Sequence, residues 1–589
     1  MKRITKSQLH GYPRPLMQRA DWTNLNGEWD FVIDHKAELA FKQVEFTGKI
    51  LVPFAPETPA SLVADQGFFK AVWYRRRFVA PSLIDGEKLV LHFGAVDWRA
   101  NVYVNGSLVA SHDGGYTPFS VDITEQLKKS KYQTIVVQAL DDPHDMAKPR
   151  GKQDWLPEAH SIWYPRTTGI WQTVWMEVVP AASIASLRWS ADVPTWSLGL
   201  SAKFAGVTEG MQLKVAIRHR DKLIVNDAYG VVDGQIARRI DLPDPGIEDA
   251  RAAYLWSPEN PQLFEAELTL VDGSGKVVDR VSSYTAMRTV AVDDQRFLLN
   301  GRPYNLRLVL DQGYWLESGM TAASDEALRK DVELAKAMGF NGVRKHQKIE
   351  DPRFLYWADR LGLMVWEEMP SPYAFTAQAT QRLLSTWTEA IERDISHPCI
   401  VAWVPYNESW GLPDLTKVAA QRDSQRALYY LTKSLDQSRP VIGNDGWEMV
   451  AGDILAVHDY DGDANRLRER YSGGLEPVAR GELFAKQRPG YRELLLDRYD
   501  HSGRPVMLTE FGGICYSPDK DAWGYKRAAT VEEFSRQVGD ILAAVHAVPC
   551  FAGFCYTQLT DTYQEANGLL FMDRTPKYPI EEIARQIRG

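Results

Sequence analysis

The sequence predicts a multi-domain protein in which two β-sandwich domains precede a (β/α)8 barrel. The chain has 589 residues, enough for three or four domains of about 100–200 residues each. Its first half contains short β-prone runs separated by turn residues, whereas its second half alternates strands with amphipathic helices. The change between the two patterns falls at Asp293.

The first predicted domain, residues 1–180, is a β jelly roll. Its clearest predicted strands are 72–79, 88–93, 100–104 and 134–140. The pair Asn105-Gly106 lies between two β-prone runs and is typical of a hairpin turn. Several short strands at this spacing predict a sandwich or jelly roll.

The second predicted domain, residues 181–289, is an immunoglobulin-like β-sandwich. The segments LKVAIRHR, KLIVNDAYG and AELTLVDGSG are its clearest strands. A length of roughly 105 residues suits a small sandwich of this kind.

The third predicted domain, residues 290–589, is a (β/α)8 barrel. Its eight predicted strands are 305–311, 341–345, 363–367, 400–406, 440–443, 454–457, 505–509 and 551–556. Ser324 is expected to cap the helix after the first strand, and Gly339 to end it. An enzyme with this fold has its active site at the carboxyl ends of the strands.

Composition excludes several classes of function. The net charge is −9 and no basic segment offsets it, so nucleic acid and anionic membranes are not expected partners. No apolar run approaches the ~20 residues that span a bilayer, and the start of the chain lacks the apolar core of a signal peptide. The four cysteines show no metal-binding spacing, which predicts free thiols and a cytoplasmic location.

Polar, ionisable or aromatic side chains follow every predicted strand of the barrel. They include Asp311, Arg344, His346, Glu367, Glu368, Asn407, Glu408, Asn444, Asp445, His458, Tyr460, Glu510 and Tyr556. Some polar residues are expected there because loops begin at strand ends. Carboxylates directly after apolar strands, as in IVAWVPYNE and PVMLTE, are less expected. Such a ring suits a substrate with many hydroxyl groups, as a sugar has.

Glu408 and Glu510 are the two carboxylates best placed for chemistry. Hydrolysis of a glycosidic bond uses one carboxylic acid to protonate the leaving oxygen and one carboxylate to meet the oxocarbenium-like carbon. From these two residues alone, roles in salt bridges remain an alternative.

The motifs around these residues resemble those of glycoside hydrolase family 2, which contains β-galactosidases, β-glucuronidases and β-mannosidases. In the barrel the resemblance lies in FNGVRKHQKIEDPRFLYWADRLGLMVWEE (340–368), SHPCIVAWVPYNESWG (396–411), PVMLTEFGG (505–513) and ANGLLFMDRTPK (566–577). In the first domain it lies in VYVNGSLVASHDGGYTPFSVDIT (102–124) and TTGIWQTVWMEVV (167–179). The resemblance covers almost the entire chain and implies a retaining glycosidase without a cofactor or metal.

The resemblance also implies roles for single residues. Glu408 would be the general acid/base, Glu510 the nucleophile, and Asn407 a ligand of the sugar 2-hydroxyl. The remaining implied or candidate substrate-binding residues are Arg344 behind the nucleophile, Tyr460 beside it, His346 and His458 at the glycone, Asp311 at the first strand end, Tyr556 as the floor of the pocket, and Trp523 as an aglycone platform. Packing within loops is the alternative for His458 and Trp523.

The expected substrate is a terminal neutral sugar, with a β-galactoside as the first choice. Family members that bind glucuronides hold the sugar carboxylate with an Asn-x-Lys pair, and the corresponding residues here are Glu565 and Asn567. A glutamate would repel a uronic acid. A β-glucuronidase, a β-mannosidase, an α-L-arabinosidase or a β-galactofuranosidase of the same family remains the alternative.

Two different classes of protein were also considered. A non-catalytic carbohydrate-binding protein is disfavoured because both glutamates are present, and a metal-dependent hydrolase is disfavoured because the first strand, NLRLVLDQ, lacks an HxH pair. Oligomers are common in the family, so a homo-oligomer is an open expectation.

Overall fold

The computed structural model describes residues 11–293, 295–473, 489–497 and 503–589. The predicted fold class is confirmed: a jelly-roll-like sandwich, an immunoglobulin-like sandwich and a barrel follow one another along the chain. The first predicted domain starts at residue 1, and residues 1–10 lie outside the described part.

The first domain is a sandwich of a four-stranded and a six-stranded antiparallel sheet, in the orders β1-β12-β5-β9 and β3-β2-β4-β10-β7-β8. Its strands are β1 (Trp22–Asn24), β2 (Gly27–Asp34), β3 (Gly48–Val52), β4 (Ala71–Val79), β5 (Lys88–Phe93), β6 (Val96–Asp97), β7 (Arg99–Val104), β8 (Ser107–Asp113), β9 (Phe119–Asp122), β10 (Tyr132–Leu140), β11 (Gly169–Ile170) and β12 (Val174–Val179). The predicted hairpin joins β7 to β8, and both Asn105 and Gly106 have positive φ, as a type I′ turn requires. A long loop, residues 141–168, separates β10 from β11.

The second domain packs a three-stranded sheet (β13-β14-β17) on a four-stranded sheet (β16-β15-β18-β19). Its elements are β13 (Ser183–Asp192), β14 (Ser197–Ala205), β15 (Gln212–His219), β16 (Lys222–Gly230), β17 (Gln235–Asp241), α1 (Glu248–Ala252), β18 (Phe264–Val271) and β19 (Val277–Thr285). Alternate residues of β15, such as Leu213, Val215 and Ile217, are buried between the sheets. The start of the chain crosses to this domain, where Arg19 forms an ion pair of 2.6 Å with Asp279.

The barrel begins after a small three-stranded sheet and is built around seven parallel strands in the order β26-β25-β24-β23-β31-β28-β27. The strands from residue 290 onward are β20 (Val290–Asp293), β21 (Arg296–Leu299), β22 (Arg302–Pro303), β23 (Leu306–Asp311), β24 (Gly342–Lys345), β25 (Met364–Glu368), β26 (Ile400–Val404), β27 (Leu455–Asp459), β28 (Val506–Gly512), β29 (Ile514–Cys515), β30 (Lys526–Arg527) and β31 (Phe551–Thr557). The helices are α2 (Asp325–Ala337), α3 (Pro352–Leu361), α4 (Ala377–Asp394), α5 (Ala419–Leu435), α6 (Ala464–Tyr471), α7 (Val531–His546) and α8 (Ile580–Arg588). As predicted, Ser324 caps α2, accepting a hydrogen bond from Ala327 N.

The predicted fifth strand, 440–443, is not a regular strand. The segment makes only an isolated bridge to β26, through Val441 and Trp403. Pro440 has no N–H to donate, which limits the ladder at this point. On the other side Asp453 N donates to Val441 O at 2.7 Å, so the segment still closes the gap between β26 and β27.

All four cysteines are free and buried, as expected. Within the described ranges, we found no helix with the length and hydrophobicity needed to cross a bilayer.

Candidate active site

The catalytic candidate Glu408 lies in a tight turn just after β26. Glu408 and Ser409 have φ values of 51° and 60°, in the left-handed region that non-glycine residues rarely adopt. The turn is held by Asp445, whose backbone oxygen accepts from Glu408 N at 2.9 Å, and by Asn444, whose Oδ1 accepts from Ser409 N at 3.0 Å. The backbone thereby fixes the direction of the Glu408 side chain.

The other catalytic candidate, Glu510, lies within β28, whose residues are all buried. One oxygen of Glu510, one oxygen of Glu408 and one ring nitrogen of His458 lie within 4.8 Å of one another. Carboxyl groups about 5–5.5 Å apart are typical of retaining glycosidases, whereas inverting enzymes keep them about 6.5–9.5 Å apart. The two glutamates predicted from the sequence are therefore brought close together, as a retaining mechanism requires.

Arg344 organises the floor of the site from the end of β24. Its Nη1 donates to Glu510 Oε1 at 3.0 Å and lies 3.1 Å from Asp445 Oδ2, and its Nε donates to Glu368 Oε2 at 2.7 Å. Its Nη2 donates to Asn407 Oδ1 at 2.6 Å. This guanidinium is fully buried, so its charge interacts strongly with the carboxylates around it.

Tyr460 holds the second oxygen of the candidate nucleophile. Its hydroxyl donates to Glu510 Oε2 at 2.6 Å and lies 3.1 Å from Thr557 Oγ1. The ring stacks on Tyr525 with centroids 3.6 Å apart. Because Arg344 binds Oε1 and Tyr460 binds Oε2, both oxygens of Glu510 are oriented.

His458 lies between the two glutamates. Its Nδ1 is 2.7 Å from Glu408 Oε1, and its Nε2 is 3.0 Å from Asp445 Oδ1 and 3.5 Å from Glu510 Oε1. Burial alone would lower the pKa of the imidazole, but these carboxylates raise it to about 10. His458 is therefore a cation at neutral pH.

His346 and Glu368 form a second acid–base pair beneath the cavity. His346 Nδ1 lies 3.1 Å from Glu368 Oε1. Burial, together with the charges of Lys152 and Arg344, holds the pKa of His346 well below its usual range, so the ring is neutral. Burial raises the pKa of Glu368 to about 7, although the Arg344 guanidinium opposes this effect.

These groups surround a small cavity. It is lined by Lys152, Ile162, Leu310, Gln312, His346, Glu408, Trp410, Tyr460, Glu510, Tyr525, Thr557 and Glu565. Lys152 and Ile162 come from the 141–168 loop of the first domain, so two domains build the cavity.

Lys152 and Glu565 bring opposite charges into the cavity, and both are buried. Glu565 Oε2 accepts from the Tyr164 hydroxyl at 2.5 Å, and its Oε1 accepts from Asn567 Nδ2 at 3.0 Å. Burial raises the pKa of Glu565 and lowers the pKa of Lys152. The sequence analysis noted Glu565 but missed Lys152.

Of the eight predicted substrate-binding residues, His346 and Tyr460 line the cavity. Arg344, Asn407 and His458 belong to the hydrogen-bonded network behind that lining, and the other three lie elsewhere. Asp311 is buried in an ion pair of 2.7 Å with Lys345, and the described cavity lining does not include it. Tyr556 packs its ring against Phe511, 5.5 Å away, and it is the next residue, Thr557, that reaches the cavity.

The third is Trp523, which lies behind Tyr525 with ring centroids 4.8 Å apart. Its backbone is paired with the segment around Glu565, since Trp523 N donates to Gln564 O at 2.7 Å. Tyr525 rather than Trp523 therefore lines the cavity.

Two groups in the described part of the chain have donor atoms close enough for a metal, but neither suits one. The first is Glu408, His458 and Glu510, where a protonated imidazole has no lone pair for a metal.

The second group, at the other end of the barrel, is Asp359, His397 and Cys399. There, the Asp359 carboxylate accepts from Cys399 N at 2.8 Å and lies 2.6 Å from His397 Nδ1, so hydrogen bonds within the group already use these atoms.

Family models match the three domains in order. Residues 61–170 match the glycosyl hydrolase 2 galactose-binding domain-like model, residues 211–288 match the glycosyl hydrolases family 2 model, and residues 290–589 match the family 2 TIM barrel domain. The barrel match alone spans half of the chain. The chain therefore belongs to glycoside hydrolase family 2.

Among individual proteins, a β-galactosidase of Thermoanaerobacter pseudethanolicus is 28% identical over 439 residues, which are 72% of this chain and 55% of that protein. A putative β-glucuronidase of Formosa agariphila is 27% identical over 58% of this chain and 40% of its own length. The chain thus spans about half the length of these two relatives. A dog β-glucuronidase is 26% identical over 85% of this chain and 81% of its own.

Solved structures share the fold. A Bifidobacterium dentium β-glucuronidase superposes with a TM-score of 0.76 at 22% identity, covering 97% of this chain and 98% of its own. An Eisenbergiella tayi β-galacturonidase gives 0.73 at 18% identity, covering 98% of both chains.

Proposed function

We propose that the protein is a retaining, exo-acting glycosidase that removes one terminal sugar by double displacement. The observation that carries this proposal is the close approach of Glu408 and Glu510, whose nearest oxygens lie within 4.8 Å. The arrangement around Glu510 agrees with a nucleophile, because Arg344 and Tyr460 donate to its two oxygens and hold the side chain in one orientation.

In the first step the Glu510 carboxylate attacks the anomeric carbon while a proton passes through Glu408 to the leaving glycosidic oxygen. This proton comes from the His458 imidazolium, whose Nδ1 lies 2.7 Å from Glu408 Oε1, so His458 becomes neutral. The C–O bond to the aglycone breaks and a glycosyl ester of Glu510 forms. In the second step the Glu408 carboxylate takes a proton from water, and the resulting hydroxide displaces Glu510 from the same carbon. Two inversions give net retention.

Asn407 is assigned to the sugar 2-hydroxyl. Its Oδ1 accepts from Arg344, which leaves the amide nitrogen as the group that can donate to a ligand. Exo action is supported by the 141–168 loop, whose Lys152 and Ile162 add residues of the first domain to the lining of the cavity. A cavity bounded in this way accommodates the end of a sugar chain better than its middle.

The proposed glycone is a uronic acid, as in the β-glucuronidases and the β-galacturonidase to which the chain is similar. The expectation of a neutral sugar rested on Glu565 and Asn567 at the positions of the family's Asn-x-Lys pair, and Lys152 offers a cation from a different domain. A neutral β-galactoside is the second candidate. It is favoured by Glu565 in the cavity and by the similar β-galactosidase.

The mechanism is tested by following the hydrolysis of aryl glycosides by ¹H NMR. The first-formed sugar should keep the anomeric configuration of the substrate, and an inverted product would refute the double displacement. Glu510→Ala should abolish turnover, whereas Glu125→Gln, an acidic residue of the first domain far from the cavity, should not change it.

The glycone is tested with a panel of p-nitrophenyl glycosides. It should contain the β-glucuronide, β-galacturonide, β-glucoside, β-galactoside, β-mannoside, β-galactofuranoside and α-L-arabinosides. The highest kcat/KM is expected on a uronide. The highest value on the β-galactoside would support the second candidate instead.

A cytoplasmic location is proposed from the four free, buried thiols, which suit a reducing compartment.

A further inference from the structure

We infer that Lys152 selects a uronide glycone by binding its carboxylate inside the barrel's cavity. The first domain contributes this residue to the cavity. The inference rests on the proposed function, because it takes the Glu408–Glu510 cavity to be the place where the terminal sugar binds.

The position of Lys152 is fixed by its backbone. The preceding Gly151 has a φ of 60°, and a Cβ there would overlap the carbonyl oxygen of Gln347, in the loop after β24. Gly151 N donates to Ser371 O at 3.1 Å, and Tyr164 N donates to Lys152 O at 2.8 Å. The loop is thus pressed against the barrel, so the lysine enters the cavity from a defined direction.

The ammonium group of Lys152 lacks a direct charge partner. Among the described residues, no carboxylate oxygen lies within 4.0 Å of its Nζ, although Glu565 and Glu510 are its strongest favourable charges. The nitrogen instead lies over two aromatic rings, 5.2 Å from the centre of Trp410 and 5.7 Å from that of Tyr164. A buried ammonium carries three N–H donors, and leaving them without acceptors is unfavourable.

The lowered pKa of Lys152 leads to the same conclusion. The carboxylates around the cavity do not fully compensate for the burial of its charge. An anionic group bound at Nζ would supply the missing negative charge and accept its hydrogen bonds. A uronide carboxylate provides both, whereas the hydroxymethyl group of a neutral hexose provides only an acceptor.

Glu565, the acidic group with the strongest effect on the charge of Lys152, opposes this assignment. Both of its oxygens already accept hydrogen bonds, from Tyr164 and Asn567, and these bonds hold it in place. Its pKa is raised by burial, so it can take up a proton when a second carboxylate binds nearby. Opposite effects are therefore expected from the two residues. Removal of the Lys152 charge should impair uronide binding, and removal of the Glu565 charge should improve it.

The experiment compares Lys152→Met and Glu565→Gln on a matched pair of substrates, p-nitrophenyl β-glucuronide and β-glucoside, which differ only at carbon 6. Loss of a charge-assisted hydrogen bond should lower kcat/KM for the glucuronide by roughly 10- to 100-fold. Most of the loss is expected in KM, because the carboxylate is remote from the bond that breaks. Glu565→Gln should raise kcat/KM for the glucuronide. The galacturonide and galactoside serve as a second pair if the wild type prefers that configuration.

Melting curves check that each variant is folded. The rise in melting temperature on addition of a free sugar then reports how well each variant binds that sugar. Glucuronate should protect the wild type and Glu565→Gln more than glucose does, and this preference should disappear in Lys152→Met. An equal effect of Lys152→Met on both members of the pair, or a loss of glucuronide activity in Glu565→Gln, would overturn the inference.

The two proposals fail in different ways. If the wild type cleaves neutral glycosides with retention but no uronide, the role of Lys152 is refuted and the retaining glycosidase stands. If no glycoside is cleaved, or the anomer is inverted, the proposed function fails and the inference falls with it.

Discussion

The charge on His458 should make the stability of the protein depend on pH in a defined way. Burial works against this charge, but contacts with Glu408, Asp445 and Glu510 at 2.7–3.5 Å raise the pKa of the imidazole from 6.5 to about 10. The perturbation to test is His458→Gln, which removes the charge and keeps a hydrogen-bonding side chain of similar size.

The magnitude follows from the two pKa values. The difference between the two pKa values, 6.5 and about 10, corresponds to roughly 5 kcal/mol in the free energy of unfolding, at 1.36 kcal/mol for each pKa unit. Because the pKa of His458 is higher in the folded protein, this stabilisation is complete below pH 6.5 and is lost as the pH rises towards 10. At pH 8 about 2 kcal/mol of it should already be gone.

The assay is the melting temperature of the wild type and of His458→Gln, each measured between pH 6 and 10. Other groups titrate in this range, but they do so in both proteins and largely cancel in the difference. The wild type should melt well above the variant at pH 6, and the gap should close as the pH approaches 10. A gap that stays constant across the range would show that His458 is neutral in the folded protein, which would refute the charge assignment.

Two further predictions concern single contacts. Tyr460→Phe removes the 2.6 Å hydrogen bond to Glu510 and should lower kcat/KM by roughly 10- to 100-fold. Tyr430→Phe, which changes an exposed tyrosine on α5, is the control and should have no effect. Steady-state kinetics of Tyr460→Phe equal to those of the wild type would contradict the assigned role. Arg574→Met breaks the buried pair in which Nε and Nη2 of Arg574 each lie 3.0 Å from Asp331, and should destabilise the protein by about 3–5 kcal/mol. The melting temperature measures this loss of stability. The double variant Arg574→Met/Asp331→Leu should regain much of the lost stability, because it no longer buries an unpaired carboxylate. A double variant less stable than Arg574→Met would argue against an unpaired buried charge as the cause.

Local sequence patterns predicted much of the fold and the centre of the candidate site. Glu408 and Glu510 could be found because each follows an apolar strand, and parallel strands bring such ends together. The predicted capping of α2 by Ser324 and the hairpin at Asn105-Gly106 are likewise local features, each specified by a few neighbouring residues.

Errors arose where the side-chain direction depends on pairing between distant strands. Tyr556 was expected to face the sugar, but the register between β28 and β31 shifts between Leu508 and Phe511. Such a shift changes which residues face inward, and here Thr557 lines the cavity instead. Asp311 also differs from its expected place for a related reason, since it forms an ion pair with Lys345 on the adjacent strand.

Lys152 could not have been found from the pattern around it. It lies in a loop without periodic structure and 256 positions before Glu408, and only the packing of the first domain on the barrel brings the two together. The local sequence offers only the neighbouring Gly151 as an indication. Its positive φ, and the absence of a side chain, allow the loop backbone to lie close to the backbone of Gln347.

The close packing of Gly151 on Gln347 has a consequence for how this protein can change over evolutionary time. The residues proposed to carry out bond cleavage and the residue proposed to choose the sugar belong to different domains, which are in contact at this point. If both proposals hold, substitutions in the 141–168 loop alter the choice of sugar and leave the barrel strands unchanged. Catalysis and selectivity would then be encoded by separate segments of one gene.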